Sequence, residues 1–553
     1  MPIRAWICVC LFGLGASGLV AQSQITAQDQ RPTFRSDTRL VRLTVVVHNK
    51  QDQPVEGLNA QDFRVFDNGK EQPIALFDVQ GRVVAPAAAG AGAAAGAPSA
   101  NVFNNAITGQ AAGGVTVILF DRLNTDWTDQ AQAREHIFKY LSQVKPTEPI
   151  AFYVLDSSTV SVIHDFTRDT SSLLRALDRV QGRTSLEAAV AKEPPPLPSD
   201  SGDAATDAMM DAALKRMDLA VKGFYLTDRA ESTLSALEAI ARHLSGVQGR
   251  KNLIWVSAAF PAIFLDGMGG GMPVYRSMNR EVNRAARAIT DADVAVYPVD
   301  ARGLVPTITS MTSMPQAPGS VFNNPPTIMP NIDTMRLTAD LTGGRAYFNT
   351  NDLGGAIGRA VDDTRLTYVL GYYLPGGSWD GRFHQIKVTV RRPGLEVRHR
   401  TGYLAVPSPP QDVETRQSAL ARALSSPIDA SGLQLTVTAE PAAGGLLRLS
   451  MRIDTRALLF HADAGSWVAS VDVAIAQALP DGRLDRTADL NLPLRFTPEK
   501  RAQADREGLV FNHQVDVRPE AHELRIAVRD AASGEVGTVT IPATQARAIA
   551  GRR

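Results

Sequence analysis

Residues 115–125, VTVILFDRLNT, decide the fold. An uncharged run, Val115–Phe120, ends in a carboxylate, Asp121, and leads through short polar residues into a helix-like stretch. Such a run, preceded by Gly113 and Gly114, reads as a strand buried on both faces, as in a parallel sheet. Asp121 and its successors then lie at the carboxyl end of that strand, where open α/β sheets bind ligands.

The same alternation continues outward from this strand. A helix is expected from Trp127 to Val144, with Phe138, Leu141 and Val144 at helical spacing and Pro146 just beyond its end. Further strands are expected over Pro149–Leu155, Leu253–Val256, Val294–Val299 and Ala346–Phe348, with Val160–Phe166 as a short edge strand. Helices are expected over Ser171–Val180, Thr233–Leu244 and Arg276–Ile289, and over a stretch ending at Leu341 before the Gly343-Gly344 turn. Residues 181–230, with three consecutive prolines at 194–196, read as an insertion that is at least partly surface loop. Residues 266–273 and 303–332 read as two more insertions, which are adaptable contact loops or plain excursions. Repeated β–α alternation over 115–366 implies a doubly wound, Rossmann-like α/β domain.

The flanks read differently. Residues 36–82 carry short alternating runs around the Asp67-Asn68-Gly69 turn and are expected as a small, immunoglobulin-like β module. Residues 83–114, rich in Ala and Gly, are expected as a linker. Residues 367–405 are expected as a β appendage closing the central domain, and 406–425, with Pro407, Pro409 and Pro410, as a second linker. Alternating runs over 426–546 suggest a C-terminal β-sandwich. The fold class is thus multidomain, a central α/β domain flanked by β-sandwich-like domains.

A chain of 553 residues has room for three or four domains. Its 57 basic and 57 acidic residues cancel, so no global field draws it to nucleic acid. Residues 1–21 read as a secretory signal, with Arg4, an apolar Ala5–Val20 and a small Ala21; an uncleaved anchor is the alternative. Cys8 and Cys10 both lie inside that signal, so the mature chain has no thiol chemistry. No later segment is apolar enough to span a bilayer, and the expected location is the periplasm or the medium. Metalloprotease, hydrolase-elbow and phosphate-loop motifs are missing, and His522-Glu523 lacks a second histidine. The scattered histidines, among them His136, His164 and His243, read as surface or satisfied core residues. Arg391, Arg392, Arg398 and Arg400 read as solvated strand faces.

Four stretches carry a family resemblance. They are Val55–Leu58 with Asp62-Phe63 and Asp67–Gly69; Leu119–Thr125; Leu341–Ala346; and Tyr368–Tyr372 with Arg400–Tyr403. As a set over roughly 36–405 they resemble von Willebrand factor A (VWA) proteins, in particular the VWA-related proteins common in Acidobacteria. Metal-binding VWA domains use a D-x-S-x-S loop, a distant Thr and a later Asp. Here the loop is D-R-L-N-T: Asp121 matches the Asp, Thr125 the second hydroxyl and Thr233 the distant Thr. Leu123 replaces the first hydroxyl, Asn124 sits one residue off, and Ser257 stands where the later Asp belongs. Asp300 also lies at the carboxyl edge and is a further candidate. Mg²⁺ or another divalent cation is the candidate cofactor, although one carboxylate and two hydroxyls make a poor set for a hard cation. The alternative is that Asp121, Asn124, Thr125 and Thr233 are capping residues. The resemblance implies a non-enzymatic protein that binds another protein or a cell-surface polymer through the carboxyl edge of the sheet. A periplasmic hydrolase with its site in 406–553, and a structural envelope protein with a degenerate metal site, are the rivals.

Overall fold

The computed structural model describes residues 40–81, 101–107, 114–143, 148–156, 159–180, 204–258, 279–304, 329–374, 380–405, 412–463 and 465–551. The expected signal segment, the 266–273 insertion and most of the 303–332 insertion lie outside them. Among the described residues no helix is long and apolar enough to cross a membrane.

The chain opens with β1 (Leu40–His48), β2 (Phe63–Asp67), β3 (Lys70–Gln72) and β4 (Leu76–Gln80). After β5 (Val102–Asn104), the central unit contains β6 (Val115–Asp121), α1 (Trp127–Gln143), β7 (Ile150–Asp156), β8 (Thr159–Thr167), α2 (Thr170–Arg179) and α3 (Ala204–Leu244). It continues with β9 (Lys251–Ser257), α4 (Asn279–Asp291), β10 (Val294–Asp300), α5 (Met329–Thr342) and α6 (Leu353–Asp362). Its five strands run in the order β10-β9-β6-β7-β8. The first four are mutually parallel and β8 is an antiparallel edge. All seven residues of β6, of β9 and of β10 are buried, because helices cover both faces. On one face Val117, Leu119 and Trp255 pack against Leu237, Ile240 and Leu244 of α3 and Ile289 of α4. On the other, Ile118, Phe120 and Ile254 pack against Ile137 and Tyr140 of α1, Leu173 of α2 and Ile357 of α6.

Several local expectations change. In α1 the inward residues are Ala133, Ile137, Tyr140 and Leu141, and Phe138 is exposed. Residues 204–230, the later part of the expected insertion, are the first half of the 41-residue α3. Ala, Met, Leu, Lys and Arg dominate there and favour helix, and the buried second half anchors the rest. The strand expected over Ala346–Phe348 is reduced to a single bridge between Tyr347 and Val299. The turn before it is tight: Gly343 has φ +78°, and a Cβ on Gly344 would stand 1.9 Å from the Val296 carbonyl oxygen. Helix α6 escaped notice because it is glycine-rich; Asp352 caps it, accepting from the Gly355 N–H at 2.9 Å.

The larger correction concerns the flanks. The chain continues with β11 (Thr367–Tyr373), β12 (Phe383–Val390), β13 (Glu396–Arg398) and β14 (Gly402–Leu404). These pair with β1–β4 in two sheets, β13-β1-β11-β4 and β14-β12-β2-β3. Segments 40–80 and 367–404, expected as a separate module and an appendage, therefore form one unit with one core of Leu43, Val45, Phe63, Tyr368, Leu370, Tyr372 and Ile386. Neither segment alone has enough strands to cover its apolar face.

This unit is joined to the central one by a buried polar chain. Asp363, just after α6, accepts two bonds from Arg398 (2.7 and 2.9 Å) and one from the Tyr297 hydroxyl (2.8 Å). Arg250 in turn donates to the Tyr297 oxygen at 2.8 Å. Arg398, expected on a solvated face, is thus the part-buried ion-pair partner of the buried Asp363. His48 stands beside it, with Nδ1 2.9 Å from an Arg398 Nη and Nε2 3.4 Å from Asp363. Arginine only donates, so Nδ1 must accept and the proton belongs on Nε2. Burial, and then the Arg398 charge, push the His48 pKa below 6.5. The unfolded chain therefore takes up that proton first. The contribution of neutral His48 is complete above pH 6.5 and is lost as pH falls through the interval below it. An imidazole NMR titration should show the Nε2–H tautomer and a midpoint below 6.5; a midpoint at or above it would refute the arrangement.

The C-terminal unit begins with α7 (Val413–Ser425), which lies in the expected second linker and packs Leu420 and Leu424 onto the strands behind it. The strands are β15 (Leu435–Pro441), β16 (Leu447–Ile453), β17 (His461–Asp463), β18 (Ser466–Ala478), β19 (Leu484–Phe496), β20 (Leu509–Val515), β21 (Glu523–Asp530) and β22 (Val536–Pro542). They form two sheets that share one apolar core. Strand β5, from the expected first linker, completes one of them by pairing with β15. Helices α8 (Pro498–Glu507) and α9 (Ala543–Ala550) finish the unit.

Candidate functional site: the carboxyl edge of the parallel sheet

Strand β6 delivers Asp121 to the carboxyl edge, and the turn that follows folds back on it. The Asn124 N–H donates to Asp121 Oδ1 and the Asn124 side-chain amide to Oδ2, both at 2.9 Å. The indole Nε1 of Trp255, from neighbouring β9, donates to the same Oδ2 at 2.9 Å. The Ser257 hydroxyl is a further hydrogen-bond partner. Asp121 is fully buried. Burial raises its pKa, against the lowering effect of the bonds from Asn124, Trp255 and Ser257.

Asn124 is the hub. Its amide also donates to Thr233 Oγ1 at 3.0 Å, while that hydroxyl donates to the Arg229 carbonyl at 2.7 Å. Its own Oδ1 accepts from Arg229 Nε (3.3 Å) and an Arg229 Nη (3.1 Å). Thr125 Oγ1 accepts from the Ala258 N–H at 3.0 Å, and its carbonyl from Gln130 Nε2 at 2.7 Å. The fold therefore joins Asp121, Asn124 and Thr233 directly, with Thr125 fastening the end of β9. Asp300 is engaged elsewhere: its carboxylate takes the Arg302 guanidinium at 2.9 and 2.7 Å and the Arg302 N–H at 3.0 Å. Leu123 is buried.

These groups do not fit a hard cation. Both oxygens of the lone carboxylate face N–H donors, and Thr233 Oγ1 and Asn124 Oδ1 are also occupied by hydrogen-bond partners. Arg229 brings a fixed positive charge to the only amide oxygen of the set, and a divalent cation would have to displace it. Among the described residues no group of three or more His, Cys, Asp or Glu side chains converges on a common point. Titrating Mg²⁺, Mn²⁺ or Ca²⁺ into the protein should give no saturable heat that Asp121→Asn removes; such heat would show that the network opens for metal. The chemistry of a buried, donor-saturated carboxylate is structural, since no solvent-facing atom of Asp121 can meet a substrate.

Three participants were missed in the sequence. Arg229 precedes Thr233 by four residues, the same-face spacing of a helix, but it falls at the end of the expected insertion, before the helix expected from Thr233. Trp255 looked like one more apolar strand residue. Arg302 follows Asp300 closely, but nothing in sequence separates a paired aspartate from a free one.

No family model matches this chain, and no curated protein matches it. Among solved structures it is similar to an aerotolerance-related membrane protein from Bacteroides fragilis, at 13% identity over 45% of this chain and 98% of that one, TM-score 0.22. It is similar to the conserved hypothetical protein BatB from Bacteroides thetaiotaomicron, at 14% identity over 46% and 98%, TM-score 0.23. It is also similar to a von Willebrand factor type A protein from Catenulispora acidiphila, at 10% identity over 65% and 82%, TM-score 0.21. Scores at this level carry no argument about what the chain does, and the α/β architecture of its central unit rests on its own strand order and helix packing.

Proposed function

We propose that this chain is an exported, non-enzymatic binding protein of VWA type, built without a metal site, that holds a partner protein at the carboxyl edge of its parallel sheet. The two outer units, read as β-sandwich-like, support and space that edge. One observation carries the reading. Helix α3 reaches the Asp121 network at Thr233, and its residues back to Met210 extend about 35 Å on the N-terminal side of that point at 1.5 Å per residue. Met209, Met210, Leu214, Met217, Val221 and Phe224 are exposed along this stretch, by 36% to 78%. The last five follow one another at intervals of four, three, four and three residues, a period of 3.5. That period is the one with which helices pack in a seam. Apolar side chains left in water at this spacing mark an interaction surface, and they suit an amphipathic helix of a protein better than a hydrated polymer.

The test places a photo-cross-linker at Leu214 in cells that export the protein. A discrete adduct is expected. It should vanish when Met217 and Phe224 are both changed to Asp, while urea unfolding moves by no more than about 0.5 kcal/mol, as for exposed sites. An adduct that survives both substitutions, or the lack of any adduct, rejects the reading. An adduct of twice the chain's mass would identify the partner as a second copy.

A further inference from the structure

A second feature lies away from the sheet edge, between the central and C-terminal units. A cleft of about 250 Å³ is walled by α3, α4, α7 and the turn between β21 and β22. Helix α7 presents Thr415, Ala419 and Arg422 to it, spaced by four and three residues on one face. Arg242 of α3, Arg284 of α4 and Arg529 of β21 line it as well.

Carboxylates pair most of these cations but not all of them. Arg529 is held by Asp472 at 3.2 Å, and Arg287, at the rim, by Asp291 at 3.2 Å. Glu238 is shared: one oxygen takes Arg242 and the other Arg284, the latter at 3.4 Å, and Arg284 also meets Glu281 at 3.4 Å. Arg422 is left over. Among the described residues no carboxylate stands within 4.0 Å of its guanidinium, and its Nε is buried without a hydrogen-bond partner. Burial and the nearby Arg242 and Arg284 charges lower its pKa. Glu535, on the opposite wall, is a weak counter-ion, since burial and Asp291 push its pKa up. An unpaired, partly desolvated guanidinium among like charges is costly unless an anion completes it.

We propose that this cleft binds a tetrahedral oxyanion, a phosphate group, between Arg422, Arg242 and Arg284. Three guanidinium forks from three helices can each engage a different edge of a tetrahedral anion, whereas a carboxylate offers two oxygens to at most one or two of them. The cleft has room for more than the free ion, so a phosphate monoester has the same chemistry. The site is independent of the α3 stripe and of the partner read there. Bound anion would tie α7 and the β21–β22 turn to α3 and α4, and so clamp the C-terminal unit against the central one.

The experiment is thermal unfolding and calorimetry of the full-length protein at constant ionic strength. The ligands are inorganic phosphate, glycerol phosphate, sulfate and acetate in turn. Phosphate should raise the melting temperature saturably, as any ligand of the native state does. Arg422→Met should weaken that response at least tenfold, yet raise the melting temperature in chloride by relieving like-charge repulsion. If Arg422→Met fails to fold, Arg284→Met, on a different helix, reads the same loss. Tighter binding of glycerol phosphate than of phosphate identifies a monoester as the source, and the reverse identifies the free ion. The proposal is overturned by an unchanged phosphate response in the folded variant, by acetate binding as tightly as phosphate, or by no saturable response up to about 10 mM phosphate.

Discussion

Asp363→Ala will lower the unfolding free energy by about 3–5 kcal/mol, the cost of removing one partner of a buried ion pair. Asp363 is almost fully buried and accepts from two Arg398 nitrogens and the Tyr297 hydroxyl, with His48 alongside. Without it, the Arg398 charge and the Tyr297 hydroxyl lose their acceptor in a place that water enters poorly. The four residues come from β1, β10, β13 and the end of α6, so the loss falls on the joint between the N-terminal β unit and the central sheet. Thermal unfolding should then show the joint failing, with a lower and less cooperative transition. The double variant Asp363→Leu with Arg398→Met should recover much of the loss, because no buried charge is left alone. A single substitution costing under about 1 kcal/mol, or a double variant worse than the sum, would refute the network.

Asp121→Ala should cost about as much, 3–5 kcal/mol, but at the sheet's edge and by a different route. It strips the acceptor from the Asn124 N–H, the Asn124 amide and the Trp255 indole at once. Each unsatisfied buried donor costs about 1–3 kcal/mol. Asp121→Asn preserves the shape but turns an amide N–H₂ toward existing donors, so about half the loss should remain. Adding 10-fold excess Mg²⁺ should rescue neither variant, nor should it stabilise the parent. Urea unfolding of the three proteins, with and without the cation, decides the point: a parent stabilised by Mg²⁺ through Asp121 would place a metal where hydrogen bonds are now drawn.

The strands of the central sheet were legible because they are buried on both faces. Val115–Phe120 and Val294–Val299 carry almost no polar side chain, and local sequence alone reports that condition. Helix α7 was legible too, but was missed: Asp412 accepts from the Thr415 N–H as an N-cap, and Leu420 and Leu424 lie a turn apart, yet the nearby prolines drew the reading toward a linker. The first half of α3 was missed in the same way, behind the prolines at 194–196.

The amino-acid order alone determined that a parallel sheet lies at the centre and that Asp121, with Asn124 and Thr125 just behind it, stands at the carboxyl end of one of its strands. Period and residue type are local properties, and they suffice for those statements. Tertiary structure alone decided that β1 pairs with β11 more than 300 residues away, that β5 joins the C-terminal sheet, and that Trp255 and Arg229 close around Asp121 and Asn124. A strand's alternation says which face is buried but not which strand covers it, and a carboxylate's neighbours in sequence do not name the donors that other elements bring to it.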